Sequence, residues 1–329
     1  MRIYGYMLTI IIPTLNSERY LRQCLASLAR QEDKKFKVLL VDDGSRDQTI
    51  PITRGFRKAL KIKILKKSSK IARGAAASIN SAVPHVTTPY IALIDSDAVM
   101  KKNWTRVVLG ILRRKKNILV GAPILASRED TLWSFVTGLE IESRYYRRKE
   151  GYLKHLSTCN LAGPTNLFRR YPHLDEDLLY AYDHDLSNQM LKHNIRYYLT
   201  LKTSCYHYNK GGLGSYFKQQ YRIGLFHGLL ALSHPRLSLS GQDDISPRWL
   251  ILQPILFIVM IIMVIYKSWA AAAIGLLLIA TNGKYLVYLA GRKEWSLLPL
   301  AIIAVLIRAF AWSLGIALLP LAHIKRKLL

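Results

Sequence analysis

The sequence predicts an α/β fold built on a mostly parallel sheet, and two patterns carry this prediction. Between residues 7 and 125, short runs rich in β-branched residues alternate with segments whose apolar residues recur at helical spacing. The runs are apolar throughout, which is typical of strands that helices cover on both faces. In such a sheet, ligands bind beyond the carboxyl ends of the strands.

Five strands and four connecting helices are expected in this part of the chain. The expected strands are residues 8–13, 36–43, 61–65, 90–95 and 117–122. The expected helices are residues 17–31, 47–60, 73–83 and 103–115. Ser17 and Asn103 are the expected N-cap residues of the first and last of these helices.

Three of the expected strands end in polar clusters, at residues 13–16, 42–45 and 95–97. Because parallel strands share an edge, we expect all three clusters on one side of the sheet. Asp95 and Asp97 form an Asp-x-Asp pair, which suits a hard divalent cation such as Mg²⁺ or Mn²⁺ that takes oxygen ligands and phosphate oxygens. This spacing alone is a weak signal, since solvated loops often contain it.

The composition changes near residue 248, where a strongly apolar region begins. Residues 249–266 and 297–321 have the length of a bilayer-spanning helix, roughly 20 residues. Residues 270–290 are interrupted by Asn-Gly-Lys at 282–284. We expect a transmembrane region of two to four helical segments, with three favoured; a soluble helical bundle is the alternative.

Two further segments have the mixed aromatic, basic and leucine-rich composition of helices at a membrane surface. They are residues 214–237 and 132–149. For the second segment, a helix packed on the sheet is the alternative. The N-terminal apolar run is too short for a signal peptide, so we expect the N-terminal domain to remain in the cytoplasm.

The charge balance indicates an anionic partner. Lys and Arg number 48 against 21 Asp and Glu, a formal net charge of +27. Nucleic acid, phosphorylated substrates and an anionic membrane surface all fit this excess. No nucleic-acid-binding signature is present, so we expect no nucleic-acid partner. The apolar C-terminal region favours the membrane surface.

The three cysteines give no sign of a disulfide or metal framework. Cys24, Cys159 and Cys205 are odd in number and far apart, and no CxxC or Cys/His ligand spacing occurs. Cys24 lies on the apolar stripe of the first expected helix. We therefore interpret it as a core residue.

Four stretches resemble, in order, the motifs of family 2 glycosyltransferases with the GT-A fold. They are TIIIPTLNSERYLRQCLASLARQ (9–31), KVLLVDDGSRDQT (37–49), RGAAASINSAVPHVTTPYIALIDSD (73–97) and NLAGPTNLFRRYPHLDEDLLYAYDHDLSNQMLKHNIRYYL (160–199). The resemblance covers about residues 8–225. It implies a cytoplasmic GT-A catalytic domain over residues 1–210, an interfacial amphipathic segment over 211–247 and a transmembrane region over 248–329.

The resemblance also implies a donor site for a UDP- or GDP-linked sugar. Pro13 and Leu15 would flank the base, and Asp43 would hydrogen-bond it. Arg73 would lie near the base or the diphosphate, where its charge offsets that of the phosphates. Asp95 would approach the ribose and the metal.

The remaining roles implied by the resemblance concern the metal and the acceptor. Asp97 would be the main ligand of Mg²⁺ or Mn²⁺, and His207 in CYHYNKGG (205–212) would complete the site. Asp183 occupies the place of the catalytic aspartate, with Asp185 as a competing candidate. Asp183 also precedes a helix pattern, so a helix N-cap is its alternative role. The usual Glu before the catalytic aspartate is Tyr182 here.

A last motif, QQYRI (219–223), resembles the Gln-x-x-Arg-Trp signature of membrane-associated members, with Ile in place of Trp. Gln219 and Arg222 would then contribute to acceptor binding. A plain interfacial helix is the alternative for both residues.

These features together predict a metal-dependent inverting glycosyltransferase of the cell membrane, multi-pass, with its catalytic domain on the cytoplasmic side. The acceptor would be a membrane lipid or a lipid-linked glycan. A polyprenyl-phosphate sugar synthase is the nearest alternative, but the expected HPP run is replaced by AVMKKNW (98–104). A processive polysaccharide synthase would need more membrane spans, and a non-catalytic membrane scaffold would not need this set of aspartates.

Overall fold

The computed structural model describes residues 5–66, 74–171, 174–233 and 252–320. The chain divides into two units. The first comprises Met1–Leu125 and Arg148–His207, and the second comprises Ala126–Arg147 and Tyr208–Leu329. The domain boundaries expected at residues 210 and 247 stay predictions.

The described strands, in chain order, are β1 (Leu8–Thr14), β2 (Phe36–Asp42), β3 (Ile62–Lys66), β4 (Tyr90–Ile94), β5 (Ala98–Met100), β6 (Ile118–Gly121), β7 (Ile124–Ala126), β8 (Gly151–Leu153), β9 (Asn160–Pro164), β10 (Arg196–Leu199) and β11 (Cys205–His207). Eight of them form the main sheet in the order β3–β2–β1–β4–β9–β6–β10–β8. The strands β3, β2, β1 and β4 run parallel to one another. β9 runs antiparallel to both β4 and β6, so the sheet is mixed.

The helices of the first unit lie between these strands. They are α1 (Glu18–Ala29), α2 (Thr49–Gly55), α3 (Gly74–Ala82), α4 (Trp104–Arg114), α6 (Thr165–Arg170) and α7 (Tyr182–Lys192). The five strands and four helices expected over residues 8–122 are therefore confirmed, apart from shifts of their ends. Buried apolar side chains on both faces of β1, such as Ile10, Ile11 and Ile12, explain why this run forms a central strand.

Ser17 and Asn103 do occupy N-cap positions, but neither side chain makes a capping hydrogen bond. The Ser17 hydroxyl contacts the Ser96 hydroxyl at 2.9 Å instead. Asn103 Nδ2 donates to the carbonyl of Lys202 at 3.0 Å. Both side chains thus connect distant segments. Cys24 is fully buried, which confirms its interpretation as a core residue.

The second unit is helical. Its helices are α5 (Leu132–Ser143), α8 (Leu213–Ser233), α9 (Gln253–Ile265), α10 (Ala270–Ala280), α11 (Gly283–Gly291) and α12 (Leu298–Ala317). Phe135, Val136 and Leu139 of α5 pack in one cluster with Tyr285 of α11 and Ala301 of α12. Segment 132–149 thus contains a helix that packs within this unit.

Helices α8 and α12 approach each other closely at glycines. A Cβ on Gly315 would lie 2.5 Å from the Tyr221 carbonyl oxygen, and one on Gly224 would lie 2.7 Å from the Trp312 Cα. Trp312 Nε1 donates to Gln220 Oε1 at 3.0 Å in the same interface. Small residues that let helix backbones touch are typical of helix pairs in membranes.

Among the described helices, the 23-residue segment Trp295–Ala317 is long and apolar enough to cross a membrane. In its most apolar stretch, 44% of the residues are buried. Helices α10 and α11 together are also long and apolar enough, but they are bent by 64° at the break between them. Helix α9 has 13 residues, and residues 249–251 of the first expected span lie outside the described residues. The structure thus supplies one candidate span, or two if the bent pair is one span.

A buried ion pair lies inside the second unit. Arg308 of α12 is 2% exposed and its Nη1 lies 3.2 Å from Glu140 Oε1 of α5. Glu140 Oε2 also lies 3.1 Å from Arg144 Nη2. Burial alone raises the pKa of Glu140, but the two arginines outweigh it, so its pKa is lowered and the carboxylate is charged. The apolar helices are thereby joined by a charged contact.

Candidate active site

The ends of β1, β2 and β4 lie at one edge of the main sheet because these strands are parallel, and loop hydrogen bonds join the ends of β1 and β2. Asn16, whose φ is 50°, accepts a hydrogen bond at Oδ1 from the Arg46 backbone N–H and donates its own N–H to Ser45 Oγ, both at 2.9 Å. The Asp43 N–H donates to the Thr14 carbonyl at 2.9 Å. The three polar clusters expected on one edge therefore lie there.

Asp43 directly follows β2 and is buried, with 4% of the residue exposed. Its Oδ2 accepts a hydrogen bond from the Gly74 N–H at 2.8 Å. Gly74 has φ +85°, which an L-residue rarely adopts, and this turn brings the start of α3 to the carboxylate. Arg73, expected near the base or diphosphate, lies outside the described residues.

His207 is brought to the Asp-x-Asp segment by strand pairing. β11 pairs antiparallel with β5, and His207 stands opposite Ala98, the residue after Asp97. Its Nε2 lies 3.2 Å from Asp97 Oδ1. Burial by itself lowers the pKa of His207, but the charges of Asp97 and Asp95 raise it to about 9. The local field therefore favours a positive charge at this point.

The donor atoms at this point fit a divalent cation. One carboxylate oxygen of Asp95, the Cys159 sulfur and a ring nitrogen of His207 lie within 4.8 Å of one another. Asp97 adds a second carboxylate through its contact with His207. The His207 Nδ1 is buried and has no hydrogen-bond partner among the described residues. Carboxylate and imidazole ligands together suit Mn²⁺ and related ions.

Cys159 was not expected in this group, because nothing in the linear spacing connects it to the aspartates. It directly precedes β9, and its carbonyl accepts a hydrogen bond from the Asp95 N–H at 3.3 Å. A hydrogen bond with Cys205 and then burial raise the pKa of the Cys159 thiol well above its usual value. The three cysteines are free and buried.

Asp183 lies in the first turn of α7, where Ala181 is the N-cap with φ 65°. The alternative that Asp183 is itself the N-cap is therefore wrong. Asp183 is half-buried, and its Oδ1 accepts from the His184 N–H at 3.0 Å. Asp185 is 2% exposed and accepts from Gln189 Nε2 at 2.6 Å, so its carboxylate points into the protein.

Tyr182 is the first residue of α7 and directly precedes Asp183. Enclosure by the protein raises the pKa of its hydroxyl well above the usual value, and the charges of Asp95 and Asp183 raise it further. Thr158 Oγ1 donates to this hydroxyl at 3.3 Å. Thr158 directly precedes Cys159, whose sulfur groups with an Asp95 oxygen, so the start of α7 lies near the Asp-x-Asp segment.

A pair of stacked histidines next to Asp183 was also missed from the sequence. The rings of His155 and His184 are 4.0 Å apart and nearly parallel, at 9°. The buried His155 Nδ1 lies 2.8 Å from Ser187 Oγ. Donor atoms of His155, Asp183 and His184 form a second group within 4.8 Å. No motif spacing links these residues.

The other expected site residues lie as follows. Pro13 is half-buried in β1, and Leu15 is an apolar side chain with 43% exposure on the loop that follows. Gln219 and Arg222 are half-buried on α8 of the second unit. Their roles in acceptor binding stay predictions.

Comparison with known proteins matches residues 9–175 to the model of glycosyl transferase family 2. An uncharacterized glycosyltransferase of Rickettsia prowazekii is 27% identical over 194 residues, which cover 56% of this chain and 58% of that protein. The poly(ribitol-phosphate) beta-N-acetylglucosaminyltransferase TarS of Staphylococcus aureus is 34% identical over 96 residues, 29% of this chain and 17% of TarS. The chain thus spans less than two thirds of the length of these curated relatives.

Two solved structures have a similar fold. The mannosyltransferase PcManGT from Pyrobaculum calidifontis, in complex with GDP-Man and Mn²⁺, has a TM-score of 0.60 at 16% identity, covering 94% of this chain and 88% of that chain. S. aureus TarS 1-349 in complex with UDP-GlcNAc has a TM-score of 0.52 at 16% identity, covering 96% and 92%. The GT-A type of α/β fold expected from the sequence is confirmed.

Proposed function

Because this chain belongs to glycosyl transferase family 2, we propose that it transfers a sugar from a UDP- or GDP-linked donor to a hydroxyl group of a membrane lipid or lipid-linked glycan. The observation that carries the proposal is the meeting of Asp95, Asp97 and His207 at the strand edge that also holds Asp43. Asp183 directly follows Tyr182, whose hydroxyl accepts a hydrogen bond from Thr158, the residue before Cys159; this supports a single site for donor and acceptor.

The donor would lie along this edge. Pro13 and the exposed Leu15 would flank the base, and the buried Asp43 would hydrogen-bond it. Arg73 would offset the charge of the diphosphate. The structural neighbours that contain GDP-Man and UDP-GlcNAc support a nucleotide-sugar donor of this kind.

Asp97, Asp95 and His207 would hold Mg²⁺ or Mn²⁺. Both carboxylates raise the pKa of His207, so these residues already favour a positive charge. When bound, the cation supplies the charge that stabilises the departing nucleoside diphosphate. The complex of PcManGT with Mn²⁺ is consistent with this choice of ion.

Asp183 would act as the general base. Its carboxylate would take the proton of the acceptor hydroxyl while that oxygen bonds to the anomeric carbon and the bond from that carbon to the diphosphate oxygen breaks. Attack from the face opposite the leaving group inverts the anomeric configuration. The half-buried Asp183 suits contact with an acceptor better than Asp185, which is buried against Gln189.

The second unit would attach the protein to the cell membrane as a multi-pass protein, with the catalytic unit on the cytoplasmic side. Large apolar side chains on its helices are exposed, among them Ile258, Ile265, Leu276 and Phe310. Such side chains suit contact with lipid, and the net charge of +27 suits an anionic membrane surface. Gln219 and Arg222 of α8 would contribute to acceptor binding.

The test is a transfer assay on the purified full-length chain, with a panel of UDP- and GDP-sugars and a membrane lipid extract. We expect release of nucleoside diphosphate and a glycosylated lipid detected by mass spectrometry, both abolished by a chelator. Folded protein that neither binds nor consumes any donor would refute the proposal. Transfer that survives Asp183→Asn would indicate a phosphate acceptor, which needs no base.

A further inference from the structure

We propose that Cys159 is a direct ligand of the cation in this site, which gives a mixed oxygen, nitrogen and sulfur donor set. The inference rests on the proposed function, since it concerns the same cation. It differs from what the Asp-x-Asp spacing indicates, because two carboxylates alone predict a site suited to hard ions.

The geometry places the thiol among the other donors. The Cys159 sulfur, an Asp95 oxygen and a His207 nitrogen lie within 4.8 Å of one another. Metal bonds of about 2.0–2.3 Å separate the ligands of a tetrahedral ion by roughly 3.5 Å. A contraction of about 1 Å would therefore close the group around an ion.

The fold holds the thiol at this position from two sides. The main-chain hydrogen bond from Asp95 to Cys159, at 3.3 Å, ties the residue to the exit of β4. The next residue, Asn160, pairs with Ile94 and donates its Nδ2 to the Cys205 sulfur at 3.1 Å. Cys159 is 2% exposed, so its sulfur faces protein groups. A thiol fixed beside a carboxylate and an imidazole has the composition of a ligand set.

The other two cysteines make this assignment specific. Cys24 donates to the main-chain carbonyl of Asp95 at 3.7 Å. Cys205 accepts from the Asn160 side chain. Among the described residues, Cys159 is the cysteine whose sulfur groups with a carboxylate and an imidazole. Cys24 therefore serves as the matched control, since Cys205 is hydrogen-bonded to Cys159 itself.

The consequence is a different metal preference. On binding, the S–H bond of Cys159 breaks, a sulfur–metal bond forms, and the proton leaves to solvent. Thiolate favours Zn²⁺, Cd²⁺ and Co²⁺ over Mg²⁺. We therefore expect Zn²⁺ to compete with Mn²⁺ for this site.

The experiment is a Co²⁺ titration of the full-length chain in detergent, followed by absorption spectroscopy and calorimetry. We expect a thiolate-to-cobalt charge-transfer band, lost in Cys159→Ser and kept in Cys24→Ser. Cys159→Ser should weaken Cd²⁺ binding at least about tenfold and change Mn²⁺ binding less than about threefold. The double variant Cys24→Ser/Cys205→Ser, which keeps Cys159 as its single cysteine, should keep the band even if Cys159→Ser does not fold.

Three results would overturn the inference. A band that persists in Cys159→Ser, or that is absent from the double variant, would mean that Cys159 is not the cysteine that binds the cation. Calorimetric Co²⁺ binding to the native chain without a band would mean a site of oxygen and nitrogen alone, and the proposed function would stand. No binding of Co²⁺ or Mn²⁺ would refute both the inference and the metal dependence of the proposed transfer.

Discussion

A proton and a divalent cation should compete for His207, and this competition makes metal binding depend on pH. The ring nitrogen Nε2 is 3.2 Å from Asp97, and the nearby carboxylates raise the pKa of His207 from 6.5 to about 9. Below that pH, the ring of the cation-free protein is protonated and must lose its proton before it can bind a metal. In a variant without the Cys159 thiol, cation affinity should therefore rise with pH and become constant above about 9.

The number of protons displaced from His207 sets how steeply cation affinity depends on pH. One displaced proton changes the affinity tenfold per pH unit, or 1.36 kcal/mol. Between about pH 6.5 and 8.5, which lie below the pKa of His207, we expect an increase of about 100-fold, or roughly 3 kcal/mol. The measurement is the electron paramagnetic resonance signal of free Mn²⁺ during titration of Cys159→Ser, a variant that contributes no thiol proton.

Two further variants complete this test. In the Cys159→Ser background, His207→Gln should bind Mn²⁺ more weakly with an affinity that does not change over this range. His193→Gln, which alters a histidine at the C-cap of α7, should keep the tenfold rise of Mn²⁺ affinity per pH unit. An affinity independent of pH with His207 intact would refute the reasoning, since the metal would then displace no proton from this ring.

Three other predictions concern the base and the helical unit. Asp183→Asn should keep donor affinity within about threefold by calorimetry and lower transfer about 10²–10⁴-fold; loss of donor binding would mean that its role is misassigned. Gly315→Ala, whose Cβ would lie 2.5 Å from a backbone oxygen of α8, should cost about 1–3 kcal/mol in thermal unfolding. Gly214→Ala, with nothing within 4 Å, should be neutral or stabilising by up to about 1 kcal/mol. Arg308→Met should cost about 3–5 kcal/mol, because it leaves Glu140 with one buried partner fewer, and Arg308→Met/Glu140→Gln should recover part of this loss.

The parallel part of the sheet could be predicted because its strands carry their own signal. Ile10, Ile11 and Ile12 form a short apolar run of β-branched residues that Pro13 closes, and these features favour a buried strand over a buried helix. β9 could not be found this way, since it contains Asn160, Gly163 and Pro164. It forms because β4 and β6 offer unpaired edges on either side, which is a long-range effect that local propensity does not contain.

In the candidate site too, some residues could be predicted from the sequence and others could not. Asp43 and Asp95 end predicted strands and Asp97 lies just beyond one, so the edge they occupy could be anticipated. Cys159 and the His155–His184 stack depend on the pairing of β9 and on the docking of α7, and no spacing in the chain encodes either. The resemblance to a family identified Asp183, but the αL conformation of Ala181 that begins its helix is visible only in the structure.

The arrangement of charges also bears on the order in which ligands bind. Asp95 and Asp97 present carboxylates at the edge where the donor's diphosphate would lie, and like charges at close range repel. A protonated His207 offsets part of this charge, whereas a divalent cation would offset more of it. Cation and donor should therefore bind cooperatively, each strengthening the other by the same factor. The Asp-x-Asp pair would then make the site selective for a donor that arrives with its metal, and the proposed proton transfer would fall to Asp183 on a separate helix.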